Sequence, residues 1–115
     1  MGTTIFTKII DKEIEADIVY ESDSVLAFRD INPQAPVHIL IIPKIEIPMV
    51  KDLKSSEHGE LIAEMFDAAN EIAQNEGIAD DGFRIVFNNG KNAGQEVYHI
   101  HMHLLGGRKL NWPPG

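Results

Sequence analysis

Tyr98-His99-Ile100-His101-Met102-His103-Leu104-Leu105 is the stretch from which the rest of this chain is read. Extended backbone sends successive side chains to opposite faces, so His99, His101 and His103 share one side and Ile100, Met102 and Leu104 the other. That alternation predicts a strand from Tyr98 to Leu105 with its apolar face in a core. The opposite face would carry three imidazoles, successive ones separated by roughly 6.5 Å along the backbone. His38 opens a second apolar run, so four of the five histidines can meet on one sheet. His58 falls on the exposed flank of a long helical segment and reads as a surface residue.

Upstream lies the loop Asn88-Asn89-Gly90-Lys91-Asn92-Ala93-Gly94-Gln95, preceded by a strand from Phe83 to Phe87. Leu61, Met65, Ala69, Ile72 and Ala73 recur at helical spacing, with Ile62 and Phe66 widening the stripe. They predict a helix capped by Ser55 or Ser56 and running to about Asn75, with Gly77 just past its end. His38-Ile39-Leu40-Ile41-Ile42 is continuously apolar, the pattern of a strand buried on both faces, and Pro43 ends it. Asn32-Pro33-Gln34-Ala35-Pro36 is a rigid loop. Ile18 to Glu21 and Val25 to Asp30 read as short strands around a Ser22-Asp23-Ser24 turn, and residues 4–13 as a short helix. A lone long helix before two adjacent strands indicates an α+β fold with a largely antiparallel sheet rather than repeated βαβ units. With 115 residues and no linker, the chain reads as a single domain over residues 1–115.

Three readings fit the imidazole row. It is an ordinary polar sheet face, a metal site in which paired imidazoles chelate zinc, or a metal-free catalytic site with one imidazole as nucleophile and its neighbours as donors. Histidine suits the last because its ordinary pKa of ~6.5 keeps both protonation states within reach of neutrality. The adjoining loop shifts the balance. Gly90 and Gly94 let backbone N–H groups close on an anion, and an anion cradle beside imidazoles suggests phosphoryl chemistry.

His99-Ile100-His101-Met102-His103-Leu104-Leu105 resembles the signature of the histidine-triad family, His-φ-His-φ-His-φ-φ with φ apolar. Further segments resemble its HINT branch: Ile5 to Ile10, Leu26 to Pro36, His38 to Lys44, Gly94 to Tyr98, Leu105 to Arg108, and the ending Trp112-Pro113-Pro114-Gly115. The likeness covers essentially the whole chain. It implies a HIT-like α+β protomer, a five-stranded antiparallel sheet with one long and one short helix, dimerising into a ten-stranded sheet. It implies an enzyme that hydrolyses purine nucleoside 5′-phosphoramidates without metal or cofactor. His101 would be the nucleophile at the α-phosphorus. His103 would contact the phosphate and the leaving group, and His99 and His38 would complete the hydrogen-bonded network that fixes the ring tautomers; a nearby imidazolium would suit the protonation of a departing amine. Asp30 would accept from the ribose hydroxyls, Ile9, Phe28 and Ile31 would form the base slot, and Asn88 with the backbone of Gly94, Gln95 and Val97 would hold phosphate oxygens. Trp112 would reach toward the partner's site. Some HINT members carry serine where this chain has Glu96, and an ionised carboxylate cannot donate to a phosphate. The same site could instead serve a nucleotide-binding sensor or scaffold, or a dinucleoside polyphosphate hydrolase.

Composition narrows the partners. Eighteen acidic residues against ten Lys plus Arg give a formal net charge of −8, which opposes nucleic acid and anionic membranes. A purine nucleoside monophosphate or phosphoramidate needs only a few donors in one cleft. Cysteine is absent, excluding disulfide and thiol chemistry. The opening residues lack a basic region followed by a long apolar run, so the expectation is a cytoplasmic protein.

Overall fold

The structure, a computed structural model, describes residues 3–115; Met1 and Gly2, read above as part of the opening segment, lie outside the described residues. Two α-helices and five strands follow in order among the described residues: α1 (Ile5–Ile10), β1 (Ile18–Glu21), β2 (Val25–Arg29), β3 (Val37–Pro43), α2 (Ser55–Asn75), β4 (Phe83–Phe87) and β5 (Met102–Gly106). The strands form one sheet in the order β1-β2-β3-β5-β4. Every neighbouring pair is antiparallel, which is the α+β architecture expected.

Two faces, two cores and one central strand explain the packing. Odd-numbered residues of β2 and β3 (Val25, Ala27, Val37, Ile39, Ile41) join Met102 and Leu104 of β5 under α2, whose Met65, Ala68, Ala69, Ile72 and Ala73 complete that core. Even-numbered residues (Leu26, Phe28, Leu40, Ile42) face the other way and pack on Phe6 and Ile9 of α1. All seven residues of β3 are buried, as a strand covered on both faces requires. Each large apolar side chain so buried contributes ~1.5–3 kcal/mol relative to exposure. α1 is six residues long, too short to persist alone, and is held by this packing and by its cap. The Thr4 hydroxyl accepts from the Phe6 and Thr7 N–H groups.

Several boundaries depart from expectation. β5 begins at Met102, so Tyr98 to His101 are not in the ladder; the Ile100 N–H donates instead to the Ile47 carbonyl at 2.6 Å. β2 ends at Arg29, one residue before Asp30, and β3 includes Pro43 paired with Val25. The N-cap of α2 is Lys54, not a serine. Among the described residues no side chain caps the start of α2, and His58 Nδ1 accepts the Lys54 N–H at 3.0 Å. Phe66 lies outside the core, 40% exposed and 6.4 Å from the ring of Phe87 on edge strand β4.

The end of β5 is pinned to the loop before β3. Gly107 sits at φ +92°, and a Cβ there would lie 2.9 Å from Pro36 Cβ, so only glycine fits. The next residue, Arg108, donates to the Gln34 carbonyl at 2.9 Å.

Candidate active site

The face of the sheet under α1 carries the histidines, because His38 has the parity of Leu40 on β3, and β5 pairs His103 with Leu40. His101 and His99 precede β5 in irregular backbone but reach the same side. Phe6 meets His101 edge-on at 5.0 Å and His99 at 5.9 Å. His101 and His103 have ring centres 5.0 Å apart. Sharing of one side therefore survives without the strand that predicted it.

Their hydrogen bonds assign the ring protons. The Gln34 N–H donates to His38 Nδ1 at 3.0 Å, so that nitrogen carries a lone pair and the ring's proton is on Nε2. His38 Nε2 lies 2.9 Å from His103 Nδ1, to which it donates. His103 Nδ1 is thus an acceptor, which places its own proton on Nε2. On His101, Nδ1 is 2.8 Å from the His99 carbonyl oxygen, an obligate acceptor, so Nδ1 carries the proton and Nε2 a free lone pair. His99 donates from Nε2 to the Pro43 carbonyl at 2.8 Å. Its Nδ1 is buried without a partner among the described residues.

Burial favours the neutral form of all four rings. It lowers His38, His99 and His101 below the ordinary imidazole value. His103 falls to about 4, through burial first and then through its His101 and His38 neighbours, against a smaller opposing pull from Asp30. The free site therefore favours neutral rings at neutral pH.

A cleft of ≈ 390 Å³ opens over His101 and His103. Ile9, Phe28 and Ile31 line it, as do Asp30, Asn88, Gly94 and Val97. Phe28 is nearly buried whereas Ile31 stands at the rim, 97% exposed. Asp30 accepts the Asn32 N–H at 2.8 Å and lies 3.5 Å from His38 Nε2. His38 and His99 stand behind the rings that line the cleft. The Gln95 side chain does not line the cleft. The Gly90 N–H donates to its Oε1 at 2.8 Å, and its Nε2 donates to the Pro48 and Val97 carbonyls at 2.8 and 3.0 Å. Gln95 therefore shapes the loop that Gly94, in the left-handed conformation, turns over the cleft. Trp112 is 80% exposed and belongs to neither core.

Sequence reasoning missed Phe6, the wall against two imidazoles, and Gln34, whose N–H sets the His38 tautomer. A backbone donor leaves no mark in sequence, but Phe6 was visible as an apolar neighbour of Ile9 on the short helix. Ile14, Ala16, Leu40 and Glu96 also line the cleft.

Residues 11–110 match the family described as HIT domain. The purine nucleoside phosphoramidase of Escherichia coli (strain K12) is 61% identical over 107 residues, covering 93% of this chain and 89% of that protein. The 14 kDa zinc-binding protein of Zea mays is 55% identical over 113 residues, covering 97% of this chain and 88% of its own length. A solved HIT family hydrolase from Legionella pneumophila Philadelphia 1 superposes with a TM-score of 0.95 at 50% identity, covering 98% of this chain and all of that one. The Zea mays name invites a test for metal. Donor atoms of Asp30, His38 and His103 do lie within 4.8 Å of one another. The tautomers oppose ligation, because His38 cannot offer an Nε2 lone pair while its Nδ1 accepts the Gln34 N–H. A cation there would leave that N–H without its partner, so these residues do not fit a metal site as they stand.

Proposed function

This chain belongs to the HIT domain family, and on that premise we propose that it hydrolyses purine nucleoside 5′-phosphoramidates to the nucleoside monophosphate and an amine. One observation carries the mechanism: the His99 carbonyl holds His101 Nδ1–H at 2.8 Å, which leaves the Nε2 lone pair to the cleft. A neutral imidazole with one nitrogen committed is a nucleophile of fixed orientation.

In this reading His101 Nε2 attacks the α-phosphorus and the P–N bond breaks, giving a nucleotidyl-histidine. The departing amine needs a proton. His103 is neutral in the free site, but an anionic phosphate beside it favours the charged ring, so it becomes an imidazolium only with substrate bound. It protonates the amine and is left neutral. Water then attacks the phosphorus, gives its proton to His103, and the bond to His101 breaks with the electron pair returning to Nε2. Base and ribose occupy the slot of Ile9, Phe28 and Ile31 and the Asp30 carboxylate, while Asn88 and the Gly94 to Val97 backbone hold phosphate oxygens. Gln95 serves by shaping that backbone.

A homodimer with a continuous ten-stranded sheet belongs to the same proposal. It is supported by β4 lying at the sheet edge, by the exposed Phe66 beside it, and by the uncovered Trp112, assigned to the partner's site. So does a cytoplasmic location. Among the described residues no helix is long and apolar enough to cross a membrane.

The test is phosphorus NMR of the purified protein with adenosine 5′-phosphoramidate and excess EDTA. AMP should be released, and His101→Ala should abolish release while AMP still binds by calorimetry. Near-normal turnover in that variant would overturn the assignment.

A further inference from the structure

Glu96 lines the cleft beside the histidines, yet neither the phosphate chemistry nor the fold uses its side chain. Its position is imposed. Gln95 on one side is tied to Gly90 and Pro48, and the Val97 carbonyl on the other accepts from the same Gln95 amide at 3.0 Å. The backbone at residue 96 is thus clamped while its side chain remains exposed on the cleft wall.

The charge around that wall is one-sided. Glu15, Asp30 and Glu96 all line the cleft, against a single cation, Arg29. Arg29 is already committed: it donates to both Glu76 oxygens at 3.0 and 2.7 Å and lies 3.4 Å from Asp17. Glu15 sits between Ile14 and Ala16 on the apolar wall, and Asp30 lies beside His38. Glu96 forms no ion pair among the described residues. An acceptor-only group opposes the phosphate itself, so what it can favour is a positive charge carried beyond the scissile bond.

We propose that Glu96 is a specificity-determining residue that selects leaving amines bearing a second, positively charged group. The proposal rests on the phosphoramidase reading. It also means that leaving groups with further anionic phosphate meet an uncompensated carboxylate where they would depart.

The test compares two adenosine 5′-phosphoramidates of equal length, one made from n-hexylamine and one from 1,5-diaminopentane. For an exposed carboxylate, kcat/KM should favour the charged amine by about three- to fivefold at low salt. That preference should shrink in about 0.5 M salt, where exposed charges are screened. Glu96→Gln should bring the ratio to about one, while Glu60→Gln, an exposed change on α2, should keep it. An unchanged ratio in Glu96→Gln, or no preference in the unaltered protein, would overturn the role of Glu96 while leaving phosphoramidase activity standing. Turnover of neither amidate would overturn the phosphoramidase reading and this one with it.

Discussion

Acid should loosen this protein through its own active site, and His103 sets the scale. Its folded pKa of about 4 lies below the ordinary 6.5. Above pH ~6.5 neither the folded nor the unfolded chain protonates this ring, and it contributes no pH dependence. Between ~6.5 and ~4 the unfolded chain binds the proton and the folded chain refuses it, so stability falls as pH falls through that window. The loss from this one residue is about 2 kcal/mol between pH ~7 and ~5, and on the order of 3 kcal/mol below pH ~4. His38, His99 and His101 are lowered too and push in the same direction. Urea midpoints at fixed protomer concentration, measured for the unaltered chain and for His103→Gln, read the effect directly. The variant should lose about 2 kcal/mol less on going from pH ~7 to ~5. Equal losses in the two proteins would refute the claim that His103 is held neutral by its surroundings.

Gly107→Ala should be destabilising by about 1–3 kcal/mol, since it combines a positive φ with a Cβ 2.9 Å from Pro36, and a drop in thermal midpoint checks it. Gln95→Ala should raise KM for the phosphoramidate more than it lowers kcat, because it removes three loop hydrogen bonds without touching the reacting groups; steady-state kinetics separate the two. His38→Leu should lower kcat severalfold at unchanged AMP affinity, since His103 Nδ1 loses the donor that fixes its tautomer.

Most of the fold was legible because its elements have one-dimensional signatures. The stripe from Leu61 to Ala73 placed α2, and the unbroken apolar run after His38 placed β3 with both faces covered. What failed was three-dimensional. The alternation from Tyr98 to Leu105 reads as one strand, yet Ile47 takes the Ile100 N–H and postpones the ladder to Met102. Ser55 and Ser56 have the chemistry of a cap, but the helix begins one residue earlier than either could cap it, at Ser55 itself. At the site, the four histidines and the cleft residues were accessible from the motif. The Gln95 side chain, whose amide ties Gly90, Pro48 and Val97 together, plays a loop-shaping part that its place in the sequence does not mark. The lowered pKa of His103 rests first on burial, which local sequence does not record, and then on the imidazole neighbours that the alternation did place beside it.

The sheet order carries a consequence for how the molecule comes into being. β5 is the last element along the chain, yet it occupies an interior position between β3 and β4. The bond between His38 and His103 spans 65 residues of sequence. During synthesis the middle of the sheet therefore stays a gap flanked by two unpaired strand edges until the closing segment has emerged and inserted. Long-range pairing of this kind is slow and exposes hydrophobic edges while it waits. No partly made chain holds the His38–His103 pair, so catalytic competence and completion of the core arrive in the same event.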